Sequence, residues 1–183
     1  MSGSRGAVFL DRDNTIVVDP GFLHEAGKVE LLPDAAAGLA ALSGAGWPLI
    51  VVSNQSGMAR GLYGAEGWDA VMRKLTELLQ PQGVRLLDAA YCPHHPDFTG
   101  PCECRKPGVK LFRELAAKHR LRLDDSWFLG DRWSDVEPAV TLGGRALLVN
   151  ADPLSENSRR AAEAGIRTVP TLLEAARRIG RRA

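Results

Sequence analysis

Short apolar runs that stop abruptly at acidic or polar residues recur along this chain, and each is followed by a helix-like pattern. That alternation restricts the fold more than any other feature. Ala7, Val8, Phe9 and Leu10 run into Asp11, Arg12 and Asp13. Leu49, Ile50, Val51 and Val52 run into a polar turn, Ser53 to Gly57. Trp127, Phe128 and Leu129 end at Gly130 and Asp131. Runs this short and this uniformly apolar read as strands buried on both faces. A further strand is expected at residues 146–149, and a weaker one at residues 86–91.

Helical patterns fill the intervals. Pro33 and Asp34 open an Ala/Leu-rich helix that should end near Gly44 or Gly46. Trp68, Val71, Met72, Leu75, Leu78 and Leu79 recur at spacings of three and four, the mark of an amphipathic helix. Leu111, Phe112 and Leu115 lie on one face of another helix, and residues 134–142 form a further one. Residues 159–182 read as two short helices around Val169 and Pro170. Residues 91–108 are the one irregular stretch. The alternation predicts an α/β fold, a doubly wound parallel sheet with helices on both faces. Ligands in such sheets bind outside the carboxyl ends of the strands. Asp11, Asp13, Ser53, Asn54, Gln55 and Asp131 are therefore expected along one edge, although they are far apart in sequence.

Composition removes several function classes. The 183 residues are 45% hydrophobic and 25% charged, as in an ordinary globular protein. A chain this long should bury roughly 70% of its unfolded surface as one domain, so residues 1–183 are expected to form a single unit. With 23 Lys+Arg against 22 Asp+Glu the net charge is +1, which argues against nucleic-acid or membrane binding driven by bulk electrostatics. No apolar run reaches the ~18 residues of a membrane-spanning helix. The polar start, Met1 to Arg5, is not a secretory signal. A cytoplasmic monomer is expected. The seven arginines from Arg159 onward are interleaved with glutamates and are expected to form a solvated helix face.

Two residue sets carry chemistry. Asp11 and Asp13 stand two apart at the end of a buried strand, a spacing that points both side chains to one side. Asp131 follows a later strand in the same way, with Asp135 four residues on. A hard cation such as Mg²⁺ takes oxygen ligands of this kind and keeps waters for phosphate. Each aspartate could instead cap a helix or close a turn, but apolar strand, acid and helix coincide twice. The second set is the loop holding all three cysteines, Cys92, Cys102 and Cys104, with His94 and His95. Such close spacing suits a disulfide framework poorly. Three thiolates and an imidazole suit tetrahedral Zn²⁺, and a closed set of four ligands would be structural. Reduced, buried cysteines beside a turn histidine are the alternative, and spacing alone does not separate His94 from His95.

The set Asp11-x-Asp13-x-Thr15, Ser53, Lys106 and Gly130-Asp131-x-x-x-Asp135 resembles the four motifs of the haloacid dehalogenase-like phosphatases, over about residues 7–150. The resemblance implies a Rossmann-like sheet with Asp11 as the nucleophile and Asp13 as the acid and base. It also implies Mg²⁺ on the Asp11 carboxylate, the Asp13 main-chain carbonyl and Asp131, with Asp135 in support. Ser53 and Lys106 would bind phosphoryl oxygens. The intervals between the motifs leave no room for a large cap domain. The residue 92–104 loop looks like the zinc loop of the heptose-bisphosphate and histidinol-phosphate phosphatases, which implies zinc on Cys92, His94, Cys102 and Cys104.

The 54–61 stretch (Asn54 to Gly61), the 19–24 segment and Cys92-Pro-His-His-Pro96 are similar to the heptose-bisphosphate enzymes. By that similarity Asp19, Asn54, Gln55, Arg105 and Arg132 would contact a sugar-phosphate substrate, with the 7-phosphate of the heptose bisphosphate as the group removed. Two departures stand out. Asn14 replaces a usual glycine, and asparagine tolerates unusual backbone angles. The 105–111 stretch is two residues shorter than in the heptose enzymes and closer to the histidinol-phosphate pattern, so histidinol phosphate is the alternative substrate. A zinc-bearing nucleic-acid-end phosphatase or a non-catalytic binding module is the remaining reading. It requires a focused basic stripe, which the sequence does not show outside the last residues.

Overall fold

The computed structural model describes residues 5–180. Six strands form one parallel sheet: β1 (Val8–Leu10), β2 (Leu49–Asn54), β3 (Leu86–Cys92), β4 (Trp127–Gly130), β5 (Arg145–Val149) and β6 (Arg167–Val169). Their spatial order is β3-β2-β1-β4-β5-β6. The helices are α1 (Ala35–Gly44), α2 (Ser56–Ala59), α3 (Ala65–Leu79), α4 (Pro96–Thr99), α5 (Lys110–His119), α6 (Trp133–Leu142), α7 (Glu156–Glu163) and α8 (Leu172–Ile179). Central β1 is flanked by β2 and β4, with Val8 opposite both Leu49 and Trp127. The order of the strands reverses there, which opens a crevice beyond their carboxyl ends. Between β1 and β2 stand one 3-10 turn and α1, and between β2 and β3 stand α2, α3 and a second 3-10 turn, so among the described residues no large cap domain stands over that edge.

Alternation along β1 splits the core. Val8 and Leu10 face a large cluster with Leu39 and Leu42 of α1, Val71 and Leu75 of α3, and Leu172 and Ala175 of α8. Phe9 faces the opposite side, against Phe112 of α5 and Phe128 of β4. These three rings lie 5.2–5.4 Å apart between centroids, in edge-to-face and stacked pairs. Such pairs contribute beyond the area they bury, by roughly 0.5–1.5 kcal/mol each. A strand buried this way on both faces is a rigid base for the acids at its tip.

The structure departs from the sequence expectations in four places. β2 continues through Ser53 to Asn54, where a turn was expected, because Asn54 still pairs with Cys92 of β3. The turn beyond it winds into the one-turn helix α2. A sixth strand stands at Arg167–Val169, between the two expected C-terminal helices, paired to Leu147–Val149. Residues 11–34 form a second irregular stretch, holding only a 3-10 turn at Ala26–Lys28 and isolated bridges. As expected for an exposed face, Arg177 and Arg178 of α8 pair with Glu174 at 3.5 and 3.4 Å. Arg181 and Arg182, like Met1 to Ser4, lie outside the described residues. Among the described residues no helix is long and apolar enough to cross a membrane.

Close packing of α1 on α8 makes a quantitative prediction. A Cβ at Gly38 would sit 2.7–2.8 Å from the Leu172 backbone, whereas one at Gly44 in the same helix meets nothing within 4 Å. Alanine is the better helix former by ~1 kcal/mol. Thermal melts should therefore show Gly44→Ala neutral or stabilising and Gly38→Ala destabilised by about 1–3 kcal/mol. Equal effects would mean that the helices can separate at no cost.

Candidate active site and metal-binding clusters

Lys106 stands at the centre of the crevice. Its side chain is almost wholly buried, and its Nζ lies 2.7 Å from Asp11 Oδ1, 2.8 Å from Asp135 Oδ1 and 2.6 Å from the Val52 carbonyl oxygen. Asn54 fixes the backbone beneath it: Lys106 N–H donates to Asn54 Oδ1 (3.0 Å), and Asn54 Nδ2 donates to the Lys106 carbonyl (3.1 Å). Asp11 extends the sheet ladder by donating its N–H to the Leu129 carbonyl at 2.8 Å. Asp135 accepts from the Arg132 N–H at 2.9 Å, closing the first turn of α6. Its side chain packs where a Cβ on residue 130 would stand, which requires Gly130.

Asp13 is held from the other side. Arg12 Nε and Nη2 donate to its carboxylate at 2.8 and 3.0 Å, and Gln55 Nε2 donates at 2.8 Å. Gln55 also donates to Ser53 Oγ at 2.7 Å and accepts from Tyr63 Oη at 2.6 Å and Arg12 Nη2 at 3.1 Å. Arg12 is wholly buried; it donates to the Leu23 carbonyl and lies 5.0 Å over the Trp68 ring. One guanidinium thus ties the turn after β1 to the 19–24 segment. Asn14 takes a left-handed φ of 55°, and its Oδ1 accepts from the Asp19 N–H at 3.1 Å. The asparagine supplies both the backbone angle and a tether. Asp19 Oδ1 in turn accepts from the Gly21 and Leu23 amides.

These groups open onto one cavity of 490 Å³. Of the residues expected at the site, Asp11, Asp13, Asp19, Asn54, Gln55, Arg105, Lys106, Arg132 and Asp135 line it. Ser53 sits buried behind Gln55. Asp131 lines an adjoining cavity of 370 Å³ with Asn14 and Thr15, yet it offers a carboxylate oxygen within 4.8 Å of oxygens from Asp11 and Asp135. Arg12, Tyr63 and Arg60 were not anticipated in the site. Arg12 was hidden because a buried arginine has no sequence pattern of its own. Arg60 lies in the 54–61 stretch already singled out, but its neighbours come from distant segments.

The trio Asp11, Asp131 and Asp135 offers only oxygen ligands and has a single buried lysine against three carboxylates. Burial pushes the Asp11 carboxyl up to about 8, although Lys106 pulls the other way. Burial and the Asp135 charge push Asp131 up to about 6. Burial would lower the Lys106 ammonium, but Asp11 and Asp135 hold it above its usual range. An oxygen-only, charge-deficient cluster fits a hard divalent cation. In the second cluster, Cys92, His94, Cys102 and Cys104 turn their ligand atoms together. Sulfur–sulfur spacings are 2.9–3.6 Å, and His94 Nδ1 lies 3.7 and 3.3 Å from the sulfurs of Cys92 and Cys104. Zinc–sulfur bonds of about 2.3 Å place tetrahedral sulfurs ~3.8 Å apart; two of the three sulfur pairs approach that spacing and the third is shorter, so by donor chemistry the set could hold zinc. His95 belongs elsewhere: it caps α4, accepting from the Asp97 N–H, and lines the 490 Å³ cavity.

The charge deficit sets a pH dependence. Asp11 and Asp131 have raised folded-state values, so between about pH 4 and 8 the native state holds protons that the unfolded chain has released. Stability in magnesium-free buffer should therefore fall as pH rises from 5.5 to 8, lowering Tm by ~3–6 °C. Millimolar Mg²⁺ should remove most of that slope. Calorimetric melts at both ends of the range check this, and a slope indifferent to Mg²⁺ would rule out a cation held by this trio.

Known proteins support the chemistry of this arrangement. Residues 103–176 match a family model described as "HAD-hyrolase-like". The D-glycero-beta-D-manno-heptose-1,7-bisphosphate 7-phosphatase of Photorhabdus laumondii is 31% identical over 176 residues, 92% of this chain and 94% of its own length. Its counterpart from Escherichia coli K12 is 34% identical over 172 residues, 89% of each chain. The crystal structure of D,D-heptose 1,7-bisphosphate phosphatase from B. bronchiseptica, complexed with magnesium and phosphate, superposes with a TM-score of 0.82 at 28% identity. That match covers 95% of this chain and 97% of the other. With its acids, lysine and sheet edge arranged as described, the chain belongs to the haloacid dehalogenase-like phosphatases and is a phosphoric monoester hydrolase.

Proposed function

We propose that this enzyme removes the 7-phosphate of D-glycero-D-manno-heptose 1,7-bisphosphate through an aspartyl-phosphate on Asp11. The observation that carries this reading is a cavity with a buried Asp11–Lys106 pair at its base and three arginines, Arg60, Arg105 and Arg132, among its lining residues. A sugar bisphosphate brings two anionic groups and matches such a lining. Histidinol phosphate brings one phosphate and an ammonium, which the arginines would repel. The short 105–111 stretch favours it, and that stretch closes as a tight turn in which Gly108 N–H donates to the Arg105 carbonyl at 2.7 Å.

The steps follow from the side chains. An Asp11 carboxylate oxygen attacks phosphorus as the bond from phosphorus to the sugar oxygen breaks. Asp13, oriented by Arg12 and Gln55, gives its proton to the departing alkoxide. It then takes a proton from the water that cleaves the aspartyl-phosphate, which releases inorganic phosphate and restores Asp11. Lys106 places a positive charge against the phosphoryl oxygens, and Ser53, whose hydroxyl oxygen accepts from Gln55, would turn its proton to the same group. Asp11, Asp131 and the Asp13 carbonyl, with Asp135 behind them, would hold Mg²⁺, which supplies further positive charge against the anionic phosphoryl group. Asp19, Asn54, Gln55, Arg105 and Arg132 would orient the sugar. Asn54 and Gln55 do so chiefly by positioning Lys106 and Asp13, because their amides are already committed there. Cys92, His94, Cys102 and Cys104 would hold zinc as a brace for the loop that delivers Arg105 and Lys106. A cytoplasmic monomer acting on this small molecule completes the reading.

Phosphate release in Mg²⁺ from both heptose anomers and from histidinol phosphate tests the assignment. A heptose anomer should win by at least a hundredfold in kcat/KM, ~2.7 kcal/mol of differential transition-state binding, and Asp11→Asn should lose on the order of 10³-fold or more. Preference for histidinol phosphate would transfer the assignment to the alternative substrate, and an active Asp11→Asn would end the covalent mechanism. Protein purified without added metal should carry about one zinc per chain, lost in Cys102→Ser. Well under one equivalent would remove the brace from this account.

A further inference from the structure

Arg60 is held in an unusual way for an exposed arginine. Its guanidinium carbon lies 5.5 Å over the Phe22 ring and 4.5 Å over the Phe98 ring. Those rings come from the 19–24 segment and from α4 in the cysteine loop, and both are exposed for aromatics, at 38% and 51%. Phe22 also adopts a φ of 59°, a backbone region that a bulky residue rarely enters and that costs about 1–3 kcal/mol. The Asp19 carboxylate holds it there by accepting from the residues on either side, Gly21 and Leu23. Strain and exposed rings are thus spent on placing one cation at the lining of the catalytic cavity.

Ring contacts of this kind engage the face of a guanidinium and leave the N–H edge unused. The Arg60 side chain makes no hydrogen bond or ion pair with another described residue, whereas Arg105 donates to the His94 carbonyl and Arg132 lies 3.9 Å from Asp131. A planar fork of donors, fixed in position and uncommitted, is suited to bidentate capture of an oxyanion.

We infer that Arg60, clamped between Phe22 and Phe98, anchors the phosphate of the substrate that does not react, and so sets the preference for bisphosphates over monophosphates. The inference rests on the sugar-bisphosphate reading above. Because one clamp ring comes from the 19–24 segment and the other from the cysteine loop, Arg60 also ties those two segments together. An anion reaches it only from a substrate long enough to span from Asp11 to that rim.

The test compares kcat/KM for wild type, Arg60→Met and Arg60→Lys on two pairs differing by one phosphate. The pairs are heptose 1,7-bisphosphate with heptose 7-phosphate, and fructose 1,6-bisphosphate with fructose 6-phosphate. Each ratio is internal to one protein, so partial misfolding cancels. Wild type should prefer the bisphosphate by tenfold or more. Arg60→Met should erase most of that preference, chiefly through KM, and Arg60→Lys should fall between, because an ammonium lacks the planar fork. If Arg60→Met keeps the wild-type ratio, the anchor lies elsewhere and the heptose assignment stands. If only the fructose pair shows the preference and Arg60→Met removes it, the heptose assignment fails and Arg60 keeps its role. Absence of any wild-type preference in both pairs would overturn the inference itself.

Discussion

A buried ammonium must be paired, and the pairing of Lys106 organises everything around it. Taking a lysine and two carboxylates out of water is costly unless each meets its partner in good geometry. Asp11, Asp135 and the Val52 carbonyl meet Lys106 at 2.6–2.8 Å. Those partners belong to the tip of β1, the first turn of α6 and β2, so a single side chain requires three separate segments to arrive together. Asn54 adds a fourth constraint by gripping the Lys106 backbone from both sides. Asp11, Lys106 and the helix that follows β4 are therefore one cooperative unit, and loss of Lys106 would leave two carboxylates unpaired in the interior.

The two candidate metal clusters divide the labour by chemistry. Oxygen donors gather at the sheet edge beside the open cavity; sulfur and imidazole donors gather in the loop, where four candidate ligands would leave no vacancy. A hard ion is suited to the first and a soft ion to the second. Arg105 alone separates Cys104 from Lys106, whose ammonium meets Asp11 and Asp135 of the oxygen cluster. Order imposed on the loop is order imposed on that buried lysine.

Much of the fold was legible because β1, β2 and β4 are continuous apolar runs that end at polar residues, a pattern that few structures other than a parallel sheet produce. The strand Arg167–Val169 was not legible. Only Val169 of its three residues is buried, and its place is fixed by pairing with β5, not by periodicity. The order of residues 11–34 was invisible for a related reason: it comes from Arg12, Asn14 and Asp19 bonding to backbone groups, which leaves no hydrophobic signature. Within the site, the acids and Lys106 could be placed from motif spacing. Asn54 and Gln55 were expected to face substrate, and the structure shows their amides engaged with Lys106, Asp13, Ser53 and Tyr63. Sequence spacing identifies which polar residues share an edge, but not which of them are already satisfied there.

Trp68 joins these themes in another way. Its ring, on α3, lies under the Arg12 guanidinium at 5.0 Å and beside Tyr91 at 4.9 Å, and Tyr91 immediately precedes Cys92 of the sulfur cluster. One indole is thus in contact with the arginine that holds the Asp13 carboxylate and with the strand that leads to the sulfur cluster. With Trp47, Trp127 and Trp133 replaced by phenylalanine, its near-ultraviolet emission becomes an optical gauge of both regions, read without a label and without turnover.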